Sequence, residues 1–159
     1  MSIEVRTADP ANELERLDRW SFWSAPDREG EAGRVVVGVT GAFAVLSDPK
    51  STRRARDGVV LRTRRLEHVK KAARRIEEDL RRAGHDIEVR PVLCVDAGIE
   101  FAPRTVRGVV VVPPSRLAEE IASGPAVLQP SMARRASLAL RKAAARITAV
   151  HVSPVPAAG

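Results

Sequence analysis

Tyrosine is missing from this chain, and aromatic residues of any kind make up only 3 % of it. A core cannot be built on rings, so it must come from Val, Leu, Ile and Ala, which the 44 % hydrophobic content supplies. Cysteine occurs once, as Cys94. That excludes an intramolecular disulfide and any metal site assembled from cysteines. The histidines, His68, His85 and His151, are far apart and never at metal-ligand spacing. No apolar run reaches the roughly 18 residues a membrane span needs, and the opening MSIEVRTADPANELER lacks the apolar core of a signal peptide. A cytoplasmic location and no membrane partner are therefore expected. A glycine-rich phosphate loop is missing too, because Gly38 and Gly41 join strand to strand rather than strand to helix.

What the chain has is valine and positive charge. Its 159 residues suit one domain with one core. The boundaries read as a tail over 1–10, a single α/β domain over 11–150, and a second tail over 151–159. Ala11 to Arg19 carries Leu14 and Leu17 three apart and reads as a short helix. Trp20, Phe22 and Trp23 form an aromatic cluster that reads as a first strand anchored in the core. Arg34 to Gly38 and Ala42 to Leu46 read as a hairpin turning at Val39-Thr40-Gly41, its first strand buried on both faces. Ser47 to Asp57 is a basic loop, and Gly58 to Arg62 a further strand.

The clearest periodicity follows. Leu66, Val69, Ala73, Ile76, Leu80 and Ala83 alternate three- and four-residue steps, which predicts a helix over 63–83 with one apolar stripe. Gly84 stands where a left-handed C-cap belongs. Val89 to Val95 is a strand whose Pro91 suggests an edge, a strand start or a bulge. Asp96 to Arg107 reads as a loop, and Gly108 to Val112 as a strand buried on both faces. Ser115 is placed to cap a helix over 116–122. A last helix, opened by Ser131 and running to Val150, offers Met132, Leu138, Leu140, Ala144 and Ile147 for packing. Cys94, inside an apolar strand, reads as an inert core thiol. The order α-β-β-β-α-β-β-α-α, with the hairpin counted once, defines a single mixed sheet with flanking helices.

Charge is unevenly distributed along this order. Between Lys50 and Arg82 stand thirteen Lys and Arg against five acids, a surplus larger than the +7 of the whole chain. Arginine-rich composition can arise from codon bias alone. A cationic ridge at helical spacing nevertheless repels itself and is favoured by a polyanionic partner. The nucleic-acid-binding candidates are Lys50, Arg53, Arg54, Lys70, Lys71, Arg74 and Arg75. The last helix carries further positive charge at Arg134, Arg135, Arg141, Lys142 and Arg146, with no acid after Glu120. The competing reading is a scaffold module whose basic helix meets an acidic protein partner or a second copy in a homo-oligomer.

The text Gly33-Arg34-Val35-Val36-Val37-Gly38-Val39-Thr40-Gly41-Ala42-Phe43-Ala44-Val45-Leu46 resembles the nuclease-related domain (NERD) family, whose Gly-x-x-Gly-x-Phe hairpin it keeps. The later Val89 to Asp96 segment and the Gly108 to Pro113 strand leading into a Ser-Arg-Leu helix are also similar. The resemblance implies a restriction-endonuclease-like fold and a PD-(D/E)xK site. There two carboxylates on neighbouring strands hold Mg²⁺ and a lysine serves the attacking water. Carried over by position, the first acid falls at Gly33, the second at Leu46 and the lysine at Asp48, so the motif is degenerate. Asp48-Pro49-Lys50 is acid-x-Lys displaced by two residues, and Asp27, Glu29 or Glu31 would complete it. An active Mg²⁺ nuclease would thus use Asp48 and Lys50 as catalytic residues, with Asp48 and Glu31 as metal ligands. Without it, no cofactor is expected.

Overall fold

The computed structural model describes residues 21–23, 33–48, 53–55, 58–96, 98 and 100–151, with side chains over 34–47, 61–96, 98 and 100–143. The elements in chain order are β1 (Ser21–Trp23), β2 (Gly33–Gly38), β3 (Gly41–Asp48), β4 (Arg53–Ala55), β5 (Gly58–Val60), α1 (Thr63–Arg82), β6 (Val89–Val95), β7 (Arg104–Val106) and β8 (Val109–Val112). A single 3-10 turn (Pro114–Arg116) then leads into α2 (Leu117–Ala122), and α3 (Pro130–His151) closes the series. The expected helix over 11–19 and both expected tails, apart from His151, lie outside the described residues.

Six strands form one mixed sheet in the order β1-β2-β3-β6-β8-β7, and β4 and β5 form a separate antiparallel pair. The run β1-β2-β3 is antiparallel. The pairs β3-β6 and β6-β8 are parallel, and β7 returns antiparallel along β8. The parallel step between β3 and β6 requires a crossover, which α1 supplies. An α/β fold built on one mixed sheet with flanking helices is thus what the chain adopts.

Valine runs make the inner strands, and they are covered on both sides as continuous β-branched text requires. On one face Val35, Val37, Ala42, Ala44 and Val89 pack beneath Ala73 and Leu80 of α1 and Ala133, Ala136 and Leu140 of α3. Further along the same face, Leu46, Leu93, Val95, Val109 and Val111 meet Leu66 and Val69 of α1. The other face carries Val36, Phe43, Val45, Val92, Cys94 and Val112 against Leu117 and Ile121 of α2. Helix α1 therefore runs antiparallel to β3, its start over Leu46 and its end over Ala42. Its stripe is the one expected except at Ala83, which is exposed at the helix end.

Gly84 adopts φ +88°. The N–H of Gly84 bonds to the Arg81 carbonyl (3.0 Å) and that of His85 to the Leu80 carbonyl (2.9 Å), the paired bonds of a Schellman cap. The hairpin turn at Val39-Thr40 is held from outside the hairpin. The buried Thr40 hydroxyl donates to the Ile121 carbonyl at the end of α2 (2.6 Å), and the N–H groups of Val127 and Leu128 both bond to the Val39 carbonyl (2.8 and 3.0 Å).

Several boundaries differ from the sequence expectations, each for a physical reason. Strand β3 continues to Asp48 because its parallel ladder with β6 runs on to Val95. The supposed basic loop after it contains β4, and the strand at 58 stops at Val60. The supposed loop 96–107 contains β7, a polar three-residue strand that joins β8 through a two-residue turn. Arg107 and Gly108 in that turn both have positive φ (51° and 82°), the pattern of a type I′ hairpin. Pro91 does not mark an edge: β6 is internal, and Pro91 precedes the start of its ladder with β8 at Val92. Ser115 does not cap α2; its hydroxyl donates to the Glu100 carboxylate, with Oγ 2.6 and 2.7 Å from the two oxygens. On α3, Met132 and Leu138 are exposed, and the face against the sheet is Ala133, Ala136, Ser137 and Leu140. The side chains of Ala144 and Ile147 lie outside the described residues.

Candidate nucleic-acid interface

The register of the ladder between β2 and β3 fixes what stands at the positions the resemblance singles out. Gly33 pairs directly with Leu46. The two places where the nuclease-related pattern needs carboxylates are thus neighbours across one antiparallel pair, as sharing a cation demands. They hold a glycine and a leucine, and Leu46 is buried among Leu66, Val69, Leu93 and Val95. Asp48 ends β3 and lies opposite Val95 in the parallel register. Lys50, Glu31, Asp27 and Glu29 fall outside the described residues. The acid that follows Val95, Asp96, is exposed and accepts a bond from the Gly98 N–H (3.2 Å), a turn-forming role. Among the described residues no group of three His, Cys, Asp or Glu is placed to hold a metal ion.

The basic positions on α1 separate into two kinds. Lys70 is half-buried, ion-paired with Glu67 (3.6 Å), and its Cε lies 3.8 Å from where a β-carbon on Gly108 would stand. It lies along the β7–β8 hairpin as much as it faces solvent. Lys71 and Arg74 are exposed and make no ion pair among the described residues. Arg75 is half-buried and engaged within the protein. Near the helix end Arg82 is held by Glu78 at 2.8 Å, a pair four residues apart. Exposed pairs of this kind contribute only a few tenths of a kcal/mol, so they hold charge in place more than they stabilise the fold. Arg53 and Arg54 lie on β4, opposite Val60 and Val59 of β5. The structure therefore groups Lys70, Lys71, Arg74 and Arg75 on one helix and places Arg53 and Arg54 in the connection leading to it.

The sequence shows the charge of α3, but only the structure places this helix against α1. Residues 130–151 contain no acid at all, and Arg134, Arg135, Arg141 and Lys142 are exposed. Helices α1 and α3 contact each other and cover the same sheet face. The opposite face carries α2, whose first turn holds Glu119 and Glu120. The exposed cations of α1 and α3 thus lie over one face of the sheet, while the other face carries Arg34, Arg90 and Arg116 as well as Glu119 and Glu120.

Cys94 offers no chemistry. Burial first, and the charge of Asp96 second, push its thiol up to about 12 from an ordinary value of 9.0. The folded chain should resist maleimide at pH 8 and react only as fast as it unfolds, which a time course with and without urea measures. The sign of the pH effect follows from the raised folded value. Stability from this group is complete below about pH 9 and is lost as pH rises toward 12, so alkaline melts of wild type should fall more steeply than those of Cys94→Ala. Equal slopes would mean that the thiol is accessible.

Among the described residues no helix is long and apolar enough to cross a membrane. Comparison with family models, with curated proteins and with solved structures returns no match.

Proposed function

We propose that this domain is a restriction-endonuclease-like fold related to the nuclease-related family, that it has lost its metal-binding carboxylates, and that it binds nucleic acid without cutting it. The observation that carries the non-cutting part is the direct pairing of Gly33 with the buried Leu46, where the acids of a metal site would face each other. The binding part is supported by Lys71 and Arg74, exposed cations on a helix whose remaining charge is partly neutralised within the protein. The mixed sheet with flanking helices supports the fold part. Phosphates bind such a surface through release of their counterions, so affinity is set by charge number and falls steeply with salt.

Fluorescence anisotropy with a labelled 20-base-pair DNA tests the reading. Binding at 50 mM salt should weaken by roughly 10³-fold or more at 200 mM for about six phosphate contacts. The double variant Lys71→Gln, Arg74→Gln should lower the slope of log affinity against log salt by about 2. An absence of binding at 50 mM salt would sink the proposal. Plasmid nicking that requires Mg²⁺ or Mn²⁺ and disappears in Asp48→Ala would overturn the claim that the domain does not cut.

A further inference from the structure

We infer that α3 forms the second arm of this interface, and that the ligand it fits is the phosphate backbone of a duplex rather than the bases of a single strand. The inference rests on the nucleic-acid reading above. Arg134 and Arg141 are seven residues apart, as are Arg135 and Lys142, so each pair is stacked about 11 Å apart along the helix. All four are exposed, and at 100° per residue they fall within one arc of about 120°, turned away from Ala133, Ala136 and Leu140. No acid on the helix neutralises them and no ion pair reaches them among the described residues. Four cations in one arc repel one another, and an isolated domain gains nothing from this arrangement.

Position turns the arc into an interface. Because α1 and α3 contact each other over one sheet face, the exposed cations of α3 belong to the same helical layer as Lys71 and Arg74 of α1. Packed helices lie about 8–10 Å apart, so a duplex laid over this layer is wide enough to meet exposed cations from both helices with its phosphates. Two other polyanions fit less well. A lipid surface takes up the apolar face of an amphipathic helix, but that face of α3 is already in the core. Single strands are gripped by stacking on exposed aromatics, and neither α1 nor α3 carries a Phe, Tyr or Trp.

The test uses the full chain and the variant carrying Arg134→Gln, Arg135→Gln, Arg141→Gln and Lys142→Gln, with a 20-base-pair DNA and an oligo-dT of equal length as probes. Wild type should prefer the duplex, and the variant should melt like wild type while its salt slope falls by about 3 to 4. The two double variants, Arg134→Gln with Arg141→Gln and Arg135→Gln with Lys142→Gln, should each give about half of that and guard against misfolding of the fourfold change. Wild-type affinity and slope in these variants would remove α3 from the interface while leaving the α1 reading intact. Equal affinity for oligo-dT would overturn the duplex assignment. Binding of neither probe at 50 mM salt would overturn the underlying reading, and this inference with it.

Discussion

An aspartate in place of Leu46 is expected to unfold the domain rather than to found a metal site. Position 46 is where the nuclease-related pattern keeps an acid, yet the side chain there is 4 % exposed and packed between α1 and the neighbouring strands. The substitution removes the burial of a leucine, about 2–3 kcal/mol, and inserts a carboxyl with no partner, at about 1–3 kcal/mol even when protonated. Ionised, it costs several kcal/mol more. A loss of at least about 3 kcal/mol is a large part of the 5–15 kcal/mol that holds a domain of this size. Burial would raise the folded pKa of the new acid above its unfolded value near 4. Stability is then retained best below that value and lost as pH rises, so the gap from wild type should be smaller at pH 4 than at pH 7. Urea melts of both proteins at both pH values measure this. A Leu46→Asp chain with the wild-type midpoint, or one stabilised by Mg²⁺, would show that the position opens to solvent and that the site is not lost.

Leu80→Ala should cost about 3–4 kcal/mol, without any effect on charge. Leu80 is wholly buried at the end of α1, where α1, α3 and the start of β6 converge with Ile87, Val89, Ala133 and Leu140 around it. Three of those neighbours belong to other elements that cannot close over the gap without moving a helix or a strand. The Schellman bond that its carbonyl accepts from the His85 N–H involves only backbone and should survive, so the change isolates side-chain packing. For a chain of this length the melting temperature should drop by roughly 10 °C. A drop under 3 °C would mean that α3 is not packed as described.

The sequence reveals what is local and periodic. The stripe of α1, its glycine cap and the β-branched runs of β2, β6 and β8 are each specified within a few residues, and each is present. What was not legible depends on partners far along the chain. Strand β7 reads as loop because Arg104 and Thr105 are polar and its only partner is β8. Of the residues on α3 that the sequence offers for packing, Leu140 is buried but Met132 and Leu138 are exposed, and Ala133, Ala136 and Ser137 complete the core face. Close approach of α3 to the sheet and to α1 selects small side chains and turns the large ones outward. The bond between Ser115 and Glu100 joins residues fifteen apart across the β7–β8 hairpin, which no capping rule anticipates. The candidate site divides the same way. The cationic spacing on α1 and α3 is read directly from the text, whereas their side-by-side placement is a product of the fold. That Gly33 and Leu46 face each other is a property of ladder register, which no local pattern in the sequence displays.

Strand β7 has one more consequence. An outermost strand offers its unpaired amides to any passing chain, and sheets that end on a long, flat, apolar strand polymerise. Here the outermost strand is three residues long, and Arg104, Thr105 and Arg107 are all exposed along it. A second copy approaching that border to extend the sheet would bring guanidinium groups against guanidinium groups. The arginine content that equips one surface of the protein for a polyanion thus also keeps this border of the sheet from templating fibres.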